Sequence, residues 1–250
     1  MKILIAGNSQ VACLKAAHRQ LPPAGNVEFF FYSVPGGPGP TFTIENDRIK
    51  IPSHAVNPDH PPFVDSPETL ERPIGSYDAI LISALGGIGG GLASSAGLMS
   101  HGILHAYHPR ANAKNRALLS KSCYREMINT WLRKQPGFQF LDALKAAYAG
   151  KIFVQPFPRV TSEAPQRNDW ILNQLYTDAI GACRFFSESR DAFLRATCGR
   201  LAVNLLPYPE ATVMEDPFTP SEFIQHQDGL HPNMNYGRLV LDQLLERATN

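Results

Sequence analysis

Short apolar runs recur along the chain, and each is cut off by glycine, proline or a polar turn. The first is Ile3-Leu4-Ile5-Ala6. A continuous β-branched run of this kind suits a strand buried on both faces of a parallel sheet. The pattern predicts strands over about 2–6, 27–33, 77–84, 151–155 and 201–206. Between them the apolar spacing turns helical. Val11, Cys13, Leu14, Ala16 and Ala17 share one face of a helix over 9–20. Further helices are expected over 115–134, 138–148, 169 to about 197, and 236–248. Thr41-Phe-Thr-Ile and Arg48-Ile-Lys-Ile flank Glu45-Asn-Asp47 as a hairpin. Residues 53–75, rich in Pro, His and Asp, read as an irregular loop.

Five strands alternating with helices, without repeats or a low-complexity linker, predict one α/β domain over residues 1–250. Its architecture is a doubly wound, flavodoxin-like five-stranded parallel sheet with helices on both faces. Right-handed crossovers send the carboxyl ends of the strands to one edge. Ser9, the 34–40 loop, the 85–91 loop and the 228–231 turn can all meet there.

Composition narrows the function classes. A chain of 250 residues with 44% apolar residues can build a full core. A formal net charge of +1 gives no broad attraction to nucleic acid or to an anionic membrane. There is no apolar run of eighteen residues and no signal-peptide pattern at Met1-Lys-Ile-Leu-Ile-Ala. Cys13, Cys123, Cys183 and Cys198 show neither metal-ligand nor disulfide-framework spacing. Reduced structural thiols in a cytoplasmic protein are the expectation.

Candidate chemistry gathers at the two ends of the chain. Ser9 sits at the turn from the first strand into the first helix, at the sheet edge where open α/β proteins bind ligands. Its N–H would lie at a helix N-terminus, where developing negative charge is favoured. The alternative is that Ser9 only caps the helix. Near the other end, Asp228-Gly-Leu-His231-Pro232 precedes the last helix. That spacing lets one turn present an orienting carboxylate and a basic imidazole to a single nucleophile. Leu85-Gly-Gly-Ile-Gly-Gly-Gly91 lacks the Lys-Ser/Thr of a phosphate loop, and neither it nor Gly7-Asn-Ser-Gln fits a dinucleotide fingerprint. His54 and His60 read as surface residues. His101, His105 and His108 read as an ordinary loop or a rim facing substrate, without the further ligands of a zinc site. No metal is expected.

With these residues in place, the sequence is similar to the SGNH (GDSL-type) hydrolase superfamily over nearly its whole length. The family carries its nucleophile after the first strand in Gly-Asp-Ser, matched here by Gly7-Asn8-Ser9. Its closing Asp-x-x-His-Pro is matched by Asp228, His231 and Pro232. Its backbone-donor glycine after the second strand falls at Gly36 or Gly37. One motif departs: where the family has Gly-x-Asn-Asp, this chain has Gly86-Gly-Ile-Gly-Gly, with no Asn between 58 and 111. Either a backbone N–H of that glycine segment, such as that of Gly87, replaces the missing donor, or Asn8 does. The absence of Gly-x-Ser-x-Gly excludes the usual α/β-hydrolase signature.

The resemblance implies acyl transfer through an acyl-serine, with Ser9, His231 and Asp228 as the triad. Ser9 and a glycine at 36 or 37 would hold the oxyanion. No cofactor is implied, and the partner is a small-molecule ester or an acylated saccharide. Three readings follow: an esterase, a saccharide O-acyltransferase using the same triad, and a catalytically silent binding domain.

Overall fold

β1 (Lys2–Gly7) has Ile3, Leu4, Ile5 and Ala6 completely buried. A strand in that position needs parallel neighbours on both sides and helices on both faces, and the computed structural model provides them. It describes residues 1–20, 26–34, 41–52, 63–64, 71–86, 120–167, 172–173, 178–215, 217–225 and 231–249. After β1 come α1 (Val11–Gln20), β2 (Glu28–Ser33), β3 (Thr43–Glu45), β4 (Arg48–Lys50), β5 (Phe63–Val64), β6 (Glu71–Pro73) and β7 (Ala79–Leu85). There follow α2 (Lys121–Arg133), α3 (Pro136–Ala147), β8 (Lys151–Pro156), α4 (Ala179–Leu201), β9 (Asn204–Leu205) and α5 (Met234–Thr249).

The main sheet has the order β5-β2-β1-β7-β8-β9. The five strands from β2 to β9 are parallel, with Gly7 level with Ser33 on one side and Ser83 on the other. This is the expected flavodoxin-like order, and its switch point lies between β1 and β7. Open α/β sheets bind ligands in the crevice at the carboxyl ends of such a pair. Alternate residues feed two cores. Leu4, Ala6, Ile80, Ile82, Ile152 and Val154 pack toward α2, α3 and α4. Ile3, Ile5, Phe29, Phe31, Leu81 and Phe153 pack toward α1 and α5. Each large aliphatic side chain so buried contributes roughly 1.5–3 kcal/mol.

Several boundaries differ from the sequence reading. Residues 53–75 are not loop throughout: β5 pairs antiparallel with β2, and β6 joins the 43–50 hairpin in a second, three-stranded sheet. Strands of two or three residues carry too little periodicity to be seen without their partners. The fifth parallel strand is not 201–206 but Asn204–Leu205. Leu201 closes α4, and Ala202 adopts a left-handed conformation (φ 49°) that ends the helix. The first helix begins at Val11 rather than residue 9, because residues 8–10 form a hydrogen-bonded turn.

α1 and α5 cross closely. A Cβ on Gly237 would stand 2.3 Å from the Cys13 carbonyl oxygen, so glycine is what lets α5 approach α1. The two helices that follow Ser9 and His231 in sequence are thereby seated on each other.

Candidate active site

The strand-to-helix turn after β1 is tied down from all sides. Gly7 has no room for a side chain: a Cβ would meet Val11 Cγ2 at 2.7 Å and the Ser83 carbonyl oxygen at 2.9 Å. Its carbonyl accepts from Val34 N–H at 3.0 Å. The buried Ser33 hydroxyl donates to the Asn8 carbonyl at 2.7 Å. Asn8 Oδ1 accepts from Gln10 N–H at 3.0 Å, an Asx turn that sets the first turn of α1. Val11 N–H and Ala12 N–H donate to the carbonyls of Asn8 and Ser9.

Ser9 is only half-buried, and among the described residues its hydroxyl makes no cap to the backbone. Instead Ser9 Oγ lies 2.9 Å from Nε2 of His231. The local cap-like bond comes from Asn8, so the structure does not support the reading of Ser9 as a mere N-cap.

His231 is held through its backbone. Its carbonyl accepts from Gln225 N–H at 2.8 Å, within a short antiparallel bridge between Ile224 and Pro232. Asn233 then fastens this turn to α5. Its Oδ1 accepts from the N–H groups of Asn235 (3.0 Å) and Tyr236 (3.3 Å), and its Nδ2 donates to the Glu222 carbonyl at 2.6 Å. Sequence reasoning missed Asn233, although an Asn directly before a helical pattern is an N-cap signal. It also missed Ser33, which nothing in the sequence connects to residue 8.

The end of β7, ahead of the Gly86-Gly-Ile-Gly-Gly segment, is irregular. The pairing with β8 shifts register between Ile82 and Leu85, Ala84 has φ 60° and Gly86 has φ 76°. Glycine suits position 86 because its φ is left-handed. Behind this edge, Ser83 donates to Gln155 Oε1 at 2.7 Å, both fully buried.

The structure therefore brings Ser9 and His231 together at the switch point and places Asn8 in the turn between them and β1. Asp228, Gly36, Gly37 and Gly87 lie outside the described residues, as do His54, His60, His101, His105 and His108. Among the described residues no group of three His, Cys, Asp or Glu side chains could hold a metal ion. No helix among them is long and apolar enough to cross a membrane.

No family model and no curated protein matches this sequence. Among solved structures, the chain is similar to the extracellular lipase from Streptomyces rimosus. The identity is 11% and the TM-score 0.50, covering 98% of this chain and 99% of the lipase. It is also similar to the periplasmic domain of a Salmonella ser. Paratyphi A lipopolysaccharide acetyltransferase. There the identity is 10% and the TM-score 0.43, covering all of this chain and 84% of that one. The likeness to the lipase is one of fold. The shared fold is a doubly wound parallel sheet with helices on both faces.

Proposed function

We propose that this chain is a serine esterase of SGNH type, acting on small acyl or carbohydrate esters. The observation that carries the proposal is the 2.9 Å approach of Ser9 Oγ to His231 Nε2 at the switch-point crevice. Nucleophile and base in hydrogen-bond reach are the first requirement of covalent acyl transfer.

His231 Nε2 takes the hydroxyl proton as Ser9 Oγ attacks the ester carbonyl carbon. The oxyanion of the tetrahedral intermediate is held by the Ser9 N–H and by a backbone N–H at Gly36 or Gly37, with Gly87 or Asn8 as the further donor. Asp228 receives the other ring nitrogen, fixing the tautomer and offsetting the imidazolium charge. His231 then donates its proton to the leaving alcohol as the C–O bond breaks. Water, deprotonated by the same nitrogen, releases the acid and restores Ser9. An acceptor hydroxyl entering in place of water would turn the same cycle into O-acyl transfer. The chemistry needs no metal and no redox cofactor.

Turnover of a short-chain aryl ester tests the proposal. The wild-type chain should hydrolyse it and Ser9→Ala should not, with folding stability changed by no more than about 1 kcal/mol. Equal turnover by the variant would overturn the assignment. Turnover that rises only when a saccharide is added would mark the acyltransferase.

A further inference from the structure

We propose a second ligand site, separate from Ser9, that takes an anionic group carried on an apolar body. It lies where β8 and β9 end. α4 supplies Arg190 and Asp191, the segment after β8 supplies Arg159, and the segment after β9 supplies Tyr208. Arg190 is almost wholly buried, and so its charge must be answered locally. Its Nε donates to Asp191 Oδ1 at 3.0 Å, and its Nη2 donates to the Tyr208 hydroxyl. That hydroxyl in turn donates to the same Asp191 oxygen at 2.9 Å. Burial pushes the Tyr208 phenol well above its ordinary range, so it remains a neutral donor.

The single carboxylate is thus largely spent on Arg190 and Tyr208. Among the described residues Arg159 has one ion pair, a long one from Nη2 to Asp191 Oδ2 at 3.4 Å, and its Nε is buried without a partner. Among the described residues, two guanidinium groups share one carboxylate in a mostly buried cluster. The Arg159 guanidinium does not move freely, because it is stacked 4.8 Å from the centre of the Tyr208 ring. A planar fork held in this way is preorganised for an oxyanion.

Arg159 opens onto a cavity of about 440 Å³. Leu194, Leu206 and Val213 give it apolar walls, and the exposed Arg195 and Arg247 stand on its rim. Its size is in the range of small-molecule sites, and apolar walls with a few fixed polar groups are their usual make-up. The chemistry selects an aliphatic carboxylate or an alkyl phosphate monoester, with its oxyanion on Arg159 and its tail along the leucines.

The test is calorimetric titration of the full chain with octanoate, with octyl phosphate and with 1-octanol as the neutral control. At least one of the two anions should bind, more weakly as salt rises, and octanol should not bind comparably. Which anion binds tells carboxylate from phosphate. Arg159→Gln should weaken binding by about tenfold or more. If that variant fails to fold, Val213→Glu decides: it adds a negative charge at an exposed rim position and should also weaken anion binding. The Ser9→Ala variant should bind as wild type does. Absence of binding by both anions would overturn the proposal. So would octanol binding equally well, or anion binding unchanged in the Arg159 or Val213 variant. Because no step involves Ser9, failure here leaves the esterase proposal standing, and the reverse also holds.

Discussion

The Ser9 hydroxyl and the His231 ring meet at 2.9 Å although 222 residues separate them in sequence. The contact is made by two turns, each fixed by its own backbone bonds. One follows the central strand and is held by Ser33 and the Asn8 side chain. The other is pinned to residues 222–225 and to the start of α5. Gly237 lets the helices behind them touch. The use of Nε2 for Ser9 leaves the opposite ring nitrogen for an orienting carboxylate, and the sequence puts Asp228 three residues earlier.

Asn233 is expected to position His231 without touching substrate. Asn233→Ala removes the N-cap of α5, at a cost of about 1 kcal/mol, and frees the turn that carries the imidazole. Esterase assays should show kcat falling with KM little changed, while Asn233→Asp, which keeps the capping oxygen, recovers part of the loss. A variant with wild-type kcat would show that the cap serves stability alone.

Gly87 and Asn8 compete for the role of third oxyanion donor, beside Ser9 and Gly36 or Gly37, and kinetics separates them. If a backbone N–H after β7 is the donor, Gly87→Val should lower kcat much more than it lowers stability. Asn8→Ala should then cost mainly the Asx turn, on the order of 1 kcal/mol in unfolding experiments. If Asn8 is the donor, its removal costs about 2.7–4 kcal/mol of transition-state stabilisation, and Gly87→Val little. Unchanged turnover in both would place the oxyanion hole elsewhere.

Ala202 ends α4 in a position built for glycine. Val203 N–H bonds the Cys198 carbonyl at 3.0 Å and Ala202 N–H bonds that of Gly199 at 3.2 Å, a Schellman arrangement with an exposed alanine at φ 49°. Ala202→Gly relieves the steric cost of that conformation, about 1–2 kcal/mol. For a chain of this length each kcal/mol raises Tm by about 2–4 °C. Thermal unfolding that showed no gain would mean that the cap is unstrained.

Three of the four thiols should be inert in the folded protein. Burial pushes Cys13 up from 9.0 to about 12, and Cys183 and Cys198 to about 11. Cys123 is exposed on α2. Because the folded values are raised, the stability these thiols contribute is complete below about pH 9 and is lost as pH rises through 11–12. A thiol–disulfide reagent at pH 8 should modify one cysteine quickly and the other three only in denaturant. Fast reaction of two or more in the native chain would contradict the burial.

The main sheet was legible because its strands are continuous apolar runs, such as Ile3–Ala6 and Ile80–Ile82, that only a doubly covered position accepts. Ser9 and His231 were legible because each stands at a break in such a pattern, beside a helix. What escaped depends on partners distant in sequence. Phe63–Val64 is a strand only because β2 accepts it, and Leu201 could close a helix or open a strand until the turn at Ala202 decided. Nothing local in Arg159, Arg190 or Tyr208 announces that they share one carboxylate, since β8, α4 and the segment after β9 bring them together.

The most direct test of the central claim is covalent labelling with a fluorophosphonate, followed by mapping of the modified peptide. A stoichiometric adduct is expected on Ser9, none in Ser9→Ala, and labelling greatly slowed in His231→Ala, because the hydroxyl then has no base. An adduct on another serine, or no adduct on a folded wild-type chain, would contradict the claim.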